Sequence, residues 1–479
     1  MDTLTHRFRT RLPGLRQFLP GLAAIFAFVL PPLVVGAAGM GLRLMDLGAG
    51  APPPFAPALS APPTHDPSKP TAVVIASNRG TEIIDFLPPY EILAASGAFN
   101  VYAVAPERTV SPISTSLHVP SGLDFVPHFS FAEYDRLIGT DPDLIVVPAL
   151  SGYDASTDAP TVAWIHDHAG ERTTILTICA GTRPLVDAGL LDGHAATTFH
   201  RSIPDFAVRY PSVRWVRGVR FVDDGRVISS SSLSSGIDAT LHTVERLVGR
   251  DAAEDVARRL GYPHTRFLDE PAYTPPARIA LAAIPNAAYR WSLPDLGLVL
   301  YDGVDEFALA SIIDAYGSSA AAQFHTVAPE RTVIRSRHGL ALVPRHDFRS
   351  APGLDRVLVP GAPADAAAVP ALGEWARQQQ LSVDYLLDGD PAGGSAYDAA
   401  LRDLAREQGR AVALAAATNL VYPTEHLNLD GPAWPYDILA RPLLIGVVGV
   451  GLALGAARAR AARRAPVPAS TARPVSVPT

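Results

Sequence analysis

The stretch 173-TTILTICAGTRPLVDA-188 decides how the rest of the chain is read. Residues 173–178 are a short apolar, β-branched run that predicts a buried strand, Cys179-Ala180-Gly181 is a turn of small residues, and 182–188 opens a helix. A nucleophile between such a strand and helix is held in a sharp elbow at the carboxyl end of a sheet. The helix start would aim its free N–H groups and positive dipole at the thiol, which predicts a lowered thiol pKa and a reactive thiolate. A lone cysteine is more often a small buried core residue. The strand and helix flanking this one favour the reactive reading.

Working outward, residues 71–77 (TAVVIAS), 101–105 and 143–148 (DLIVVP) are further buried-strand candidates, and 88–96, 160–168, 183–188 and 237–248 are helix candidates. Strands alternating with helices over 71–263 predict an α/β domain with a mainly parallel sheet. The Pro/Ala-rich stretch 49–70 has no periodicity and reads as a semi-extended spacer. Residues 264–294 form a looser Pro- and Ala-containing join.

The chain has 479 residues, 48% hydrophobic and 18% charged, with a net charge of −7 and one Cys. One Cys excludes an intrachain disulfide framework and any cysteine-clustered metal site. The acidic balance, without a basic motif, argues against nucleic acid as a partner. So high an apolar fraction points to a membrane, and two stretches fit. Residues 18–42 carry no charge and exceed the roughly 20 apolar residues that a bilayer core needs. Residues 438–457 are apolar apart from Arg441, and their Gly446, Gly449, Gly451 and Gly455 suit close helix packing. Arg7, Arg9, Arg11 and Arg16 in the 1–17 tail, and Arg458, Arg460, Arg463 and Arg464 in the 458–479 tail, predict that both termini are cytoplasmic and the globular part extracytoplasmic. A cleaved signal peptide is the competing reading of 18–42, but the run is longer than a usual h-region.

The chain also repeats itself. VAPERTV occurs at 104–110 and again at 327–333, an offset of 223 residues. Asp85 and Glu91 have counterparts near Asp305 and Asp314, and DLIVVP at 143–148 answers DRVLVP at 355–360. Asp238 and Asp398 each precede a Tyr-Pro pair by the same spacing, at an offset of 160. Residues 295–436 therefore read as a shortened second copy that has lost the segment holding the Cys elbow.

The phrase ICAGTRPLVDAGLLDGHAATTFH (178–200) resembles the ThiJ/PfpI family of the class I glutamine amidotransferase-like superfamily. It is most similar there to the amidotransferase-like domain of AraC-type regulators. EIIDFLPPYEIL (82–93) resembles the family's Asp–x–x–x–Pro–x–Glu segment, and 234–263 its closing helix. The resemblance implies a flavodoxin-like three-layer sandwich over about 72–263, with Cys179 as the elbow nucleophile and Asp85 as the acidic residue that bonds and tunes it. From the residues alone, Asp85 also suits a helix N-cap before Leu87. An oxyanion pocket would draw on the Ala180 N–H and the loop at Leu150 and Ser151, where relatives commonly have a Gly pair. The family's ATTHW histidine would fall on Phe199, whereas here His200 follows it. In a strand, that shift of one turns the side chain to the other face unless a bulge compensates.

His166 and His168 read as solvated surface residues, so no metal is expected, and no cofactor. Three functions stay open. The first is a cysteine-dependent hydrolase or hydratase/lyase acting on a small electrophilic carbon, with Cys179, Asp85 and His200 as its site. The second is a ligand-sensing domain derived from regulators. The third is an internal pseudo-dimer or homodimer with a structural or binding role. The partners expected are the membrane and a small molecule. True glutamine amidotransfer is disfavoured, since the usual catalytic His-x-Glu pair is not evident.

Overall fold

The computed structural model describes residues 15–48, 61–117, 120–275, 283–365, 369–387 and 394–464. Most of the two basic tails and residues 49–60 of the spacer lie outside the described residues.

The first lobe is built on a seven-stranded sheet in the order Phe221–Asp224, Val227–Ser230, Thr174–Thr177, Leu144–Val147, Thr71–Ile75, Asn100–Ala105, Phe129–Ser130. Every pairing is parallel except the Phe221–Asp224/Val227–Ser230 hairpin at one edge. Both faces of the central strands are covered, as their continuous apolar runs require. Along Thr71–Ile75, Ala72 and Val74 enter one core while Val73 and Ile75 enter another on the opposite face. That alternation is the signature of a three-layer sandwich of flavodoxin type.

A second lobe carries five parallel strands in the order His346–Asp347, Gln323–Ala328, Asp295–Val299, Arg356–Val359, Val383–Tyr385. Five strands of the first sheet stand in the same order, from Phe129–Ser130 to Thr174–Thr177. The lobes share a third sheet in which Ala341–Val343 pairs antiparallel with Pro120–Val126, setting Leu342 opposite Phe125. One continuous apolar core runs through both lobes.

Two features differ from the sequence reading. The helix expected at 88–96 spans Ile83–Ala95, with Pro88 and Pro89 inside it. Glu82 starts it, its carboxyl accepting the Asp85 N–H at 2.7 Å, so Asp85 lies in the first turn and is not the N-cap. The join is also folded over 264–275: Phe267 and Leu268 are buried, and Arg220 and Gly218 bond back to Pro271 and Tyr273.

Two long apolar helices, Leu15–Gly48 and Tyr436–Arg464, outrun the expected 18–42 and 438–457. Gly21–Gly41 and Tyr436–Arg463 are long and apolar enough to cross a membrane. The two pack together where Gly446 and Gly449 leave no room for a Cβ against the Phe28 and Ala27 carbonyls. The short helix Ala283–Tyr289 braces them, with Tyr289 donating to the Pro32 carbonyl at 2.9 Å and Arg441 donating to the Tyr289 carbonyl at 2.6 Å. Large side chains such as Ile25, Leu33, Leu444 and Leu452 are exposed along them.

Candidate functional site

Strand Thr174–Thr177 runs into a single turn, Cys179–Gly181, and then the helix Thr182–Asp187. Cys179 has φ +52°, in the left-handed region, at a cost of about 1–2 kcal/mol for a side chain with a Cβ. The surroundings hold it there. Its carbonyl accepts the Thr198 hydroxyl at 2.9 Å, and the Thr198 and Thr182 hydroxyls are linked at 2.6 Å. The turn can pass under the sheet only because residue 181 is glycine, since a Cβ there would fall on the Val147 carbonyl oxygen. Cys179 is 7% exposed.

Two carboxyls, both wholly buried, stand beside the thiol. Glu82 spends one oxygen on the Asp85 N–H, while Asp85 Oδ2 accepts the Ala149 N–H at 3.1 Å. Glu82 Oε1 and Asp85 Oδ1 have no partner among the described residues. Burial pushes the Asp85 carboxyl up to about 8 and Glu82 well above the usual carboxylate range. The thiol is pushed well up too, by burial first and then by Asp85 and Glu82, against smaller opposing effects of the Ala180 N–H and Arg183. This corrects the expectation of a dipole-activated thiolate. A helix of six residues offers a weak dipole, and desolvation beside two acids outweighs it. At neutral pH the thiol and Asp85 both carry protons.

The other expected residues fare unevenly. The Ala180 N–H favours the charged form of the sulfur, as a developing charge would need. The Ser151 N–H is not free for an oxyanion, because it bonds the Gly80 carbonyl at 2.9 Å. Leu150 lies in a bridge to Thr81 with its side chain buried. From that loop it is Ala149 whose N–H enters the site, aimed at Asp85. No described interaction joins His200 to Cys179. The strand ends at Ala196, so the one-residue parity argument does not reach position 200, which lies in a turn. Phe199 packs on the core, and the His200 ring rests against Phe199 at 4.9 Å with neither nitrogen hydrogen-bonded among the described residues. Burial, with Arg201 alongside, lowers the His200 pKa to about 4, so the ring is neutral.

Sequence reasoning missed Glu82, although its place three residues before Asp85 is a capping spacing. It also missed the Ser230 hydroxyl, which accepts the Cys179 N–H at 3.4 Å from the edge hairpin. His168 is not solvated: it stacks on Trp164 at 4.1 Å and contacts Asp135. Glu91, Glu306 and His338 bring ligand-type atoms within 4.8 Å of one another. They are already bonded, Glu306 to His338 and Ser336, and Glu91 to the Phe307 N–H. A cavity of 1290 Å³ lies in the second lobe around Arg356 and Asp403, and Cys179 does not line it.

Residues 71–246 match the DJ-1/PfpI family. An isonitrile hydratase from Pseudomonas putida is 29% identical over 183 residues, covering 37% of this chain and 73% of that protein. Similar solved structures include oxidized DJ-1 from Toxoplasma gondii, at 21% identity and TM-score 0.34, covering 41% of this chain and all of that one. An AraC family transcriptional regulator from Pseudomonas putida is similar at 19% identity and TM-score 0.34, covering 40% and 100%. A ThiJ/PfpI family protein from Pseudomonas syringae is similar at 22% identity and TM-score 0.34, covering 49% and 87%. With a Cys elbow at the end of a parallel strand and an acid from the helix Ile83–Ala95 beside it, residues 71–246 form a DJ-1/PfpI family domain.

Proposed function

We propose that the chain is a membrane-anchored, cysteine-dependent hydratase or lyase for a small electrophilic carbon, with Cys179 as nucleophile and Asp85 as proton donor. One observation carries this reading: a wholly buried carboxyl, tied by the Ala149 N–H with its other oxygen unspent, set beside the Cys179 thiol, and burial favours its protonated form. The similarity to an isonitrile hydratase makes isonitriles the first substrates to try.

An isonitrile carbon accepts both a proton and a nucleophile. As sulfur bonds it, Asp85 gives that carbon its proton and takes up the thiol proton, leaving a thioimidate, R–N=CH–S–Cys179. Water then adds to the same carbon, the nitrogen is protonated, and the C–S bond breaks to return the thiol and release the formamide R–NH–CHO. The net reaction is the addition of one water. Because both groups start protonated, the first step needs no free thiolate.

The two apolar helices would anchor this domain, with exposed apolar side chains facing lipid and the arginines at 458, 460 and 463 on the cytoplasmic side. The second lobe reads as a shortened copy of the first that stands in for a partner subunit. The shared strand order and the Phe125–Leu342 pairing support this.

A second reading, a ligand sensor without chemistry, is favoured by the 7% exposure of Cys179. Purified full-length protein in detergent, offered aliphatic and aromatic isonitriles, should form formamides, and Cys179→Ala should abolish this. Absence of turnover together with a thiol inert to small alkylating reagents would leave the sensor.

A further inference from the structure

The helices Ile83–Ala95 and Glu306–Gly317 pack against each other between the lobes, and each brings a carboxyl to the start of the other. Glu91, late in the first, accepts the Phe307 N–H at 2.6 Å. Asp314, late in the second, takes the Ser116 N–H and hydroxyl on Oδ1 at 2.8 and 2.9 Å and lies beside Glu82 and Asp85. The two ends differ in charge. Around Glu91, Arg337 pairs with Asp305, and His338 Nδ1 meets Glu306 at 2.9 Å. The residues 223 positions earlier than Arg337 and His338 are Ser114 and Thr115, which bring no charge.

Glu82 and Asp85 from the first lobe, and Tyr397 from the helix Ala396–Gln408, are titratable groups that feel the charge of Asp314. Tyr262 and Tyr422 act on Tyr397 in turn, and Asp85, Glu82 and Arg183 act on Cys179. Glu82 Oε1, Asp85 Oδ1, Asp314 Oδ2, the Tyr397 hydroxyl and the Thr115 hydroxyl are all buried without a partner among the described residues. Tyr397, 0% exposed, is a neutral donor supplied by the second lobe alone.

We propose that the second lobe completes the Cys179 site: Asp314 is a positioning residue that acts through Asp85, in a buried group shared with Glu82 and Tyr397, to keep on Asp85 the proton delivered at Cys179. Three carboxyls buried together cannot all ionise. Asp314, bonded twice by Ser116, is the one best able to hold the charge, and burial still raises it to about 7. Its charge favours the protonated form of Asp85. The inference rests on Asp85 being the donor, and its test does not depend on the identity of the substrate.

The full chain in detergent is alkylated at Cys179 with iodoacetamide across pH 5.5–9.5, and isonitrile turnover is followed over the same range. Asp314→Asn keeps an oxygen for Ser116 but cannot ionise. It should move the Asp85-dependent inflection of both profiles down by roughly one pH unit. Ser116→Ala, which removes one bond from the Asp314 anion, should move it the same way by less and covers the case in which the Asn variant does not fold. Glu91→Gln, the same change at the equivalent helix position, should move neither. Folded Asp314→Asn and Ser116→Ala proteins with unmoved inflections would overturn the proposal, as would an equal shift in Glu91→Gln. A shifted alkylation profile without formamide production would instead remove the hydratase reading and leave the role of Asp314 standing.

Discussion

Asp85 accepts the Ala149 N–H at 3.1 Å, a bond that ties the first turn of one helix to the loop leaving the Leu144–Val147 strand and leaves Oδ1 with no partner among the described residues. The carboxyl is thereby fixed beside Cys179 with one oxygen unspent. Its charge, when it forms, raises the thiol pKa. Asp85→Asn removes that charge and also the donor. Alkylation of Cys179 at pH 8 should become several-fold faster while turnover falls about 100-fold or more, the lower end of what a general acid contributes. Slower alkylation in this variant would mean that Asp85 activates the thiol.

The buried acids also fix how stability responds to pH. Asp85 and Asp314 have folded pKa values of about 8 and about 7, above the ordinary 3.8, so the folded state binds more protons than the unfolded one across that interval. Their stabilising contribution is full below the unfolded value and is lost as pH rises through the folded values. His128 and His200 act oppositely, since burial lowers both to about 4 and costs stability below pH 6.5. Between about pH 6.5 and 8.5 these acids lose their contribution, and the raised Cys179 thiol acts in the same direction at the upper end, so Tm should fall over that window. A thermal melt series should show the fall, and Asp314→Asn should flatten it. A Tm that rises over this range would contradict the placement of both carboxyls.

What the sequence disclosed was local. The elbow is legible because Cys179-Ala180-Gly181 separates an apolar β-branched run from a helix start, and small residues there admit only a tight turn. Four sheet strands are legible because burial on both faces demands unbroken apolar runs. The helix start was misread because Pro88 resembles a first-turn proline, whereas Glu82, six residues earlier, supplies the cap. The thiol was misread for a different reason. Its ionisation is set by burial and by Glu82 and Asp85, which are nearly a hundred positions away along the chain. Asp314 was visible only as a counterpart in the repeat. Its approach to Glu82 depends on the packing of two helices from different lobes, which no local pattern encodes.

Gly181 offers a test of the elbow. A Cβ there would lie against the backbone oxygen of Val147, an atom in the parallel sheet that cannot swing aside. Gly181→Ala should therefore cost about 1–3 kcal/mol through overpacking, read as a lower denaturation midpoint, and should distort the turn that presents the Cys179 sulfur. Turnover at saturating substrate should fall even where the variant remains folded. A variant with unchanged midpoint and turnover would show that the elbow is not held by this close approach.

The anchor is testable because the only natural thiol is buried. Glu171 is exposed on the first lobe, and residue 467 lies beyond the second apolar helix. In a Cys179→Ser background, Glu171→Cys should react with a membrane-impermeant maleimide in intact cells, whereas Val467→Cys should react only after the membrane is opened. The expectation follows from the arginines at 458, 460 and 463, which resist transfer across the bilayer, and from the packing of the two apolar helices against each other, with both joining the globular lobes at one end. Labelling of position 467 alone in intact cells would invert the orientation and place Cys179 in the cytoplasm. Labelling of both would mean that the second helix does not cross, leaving its exposed leucines to be covered by another surface.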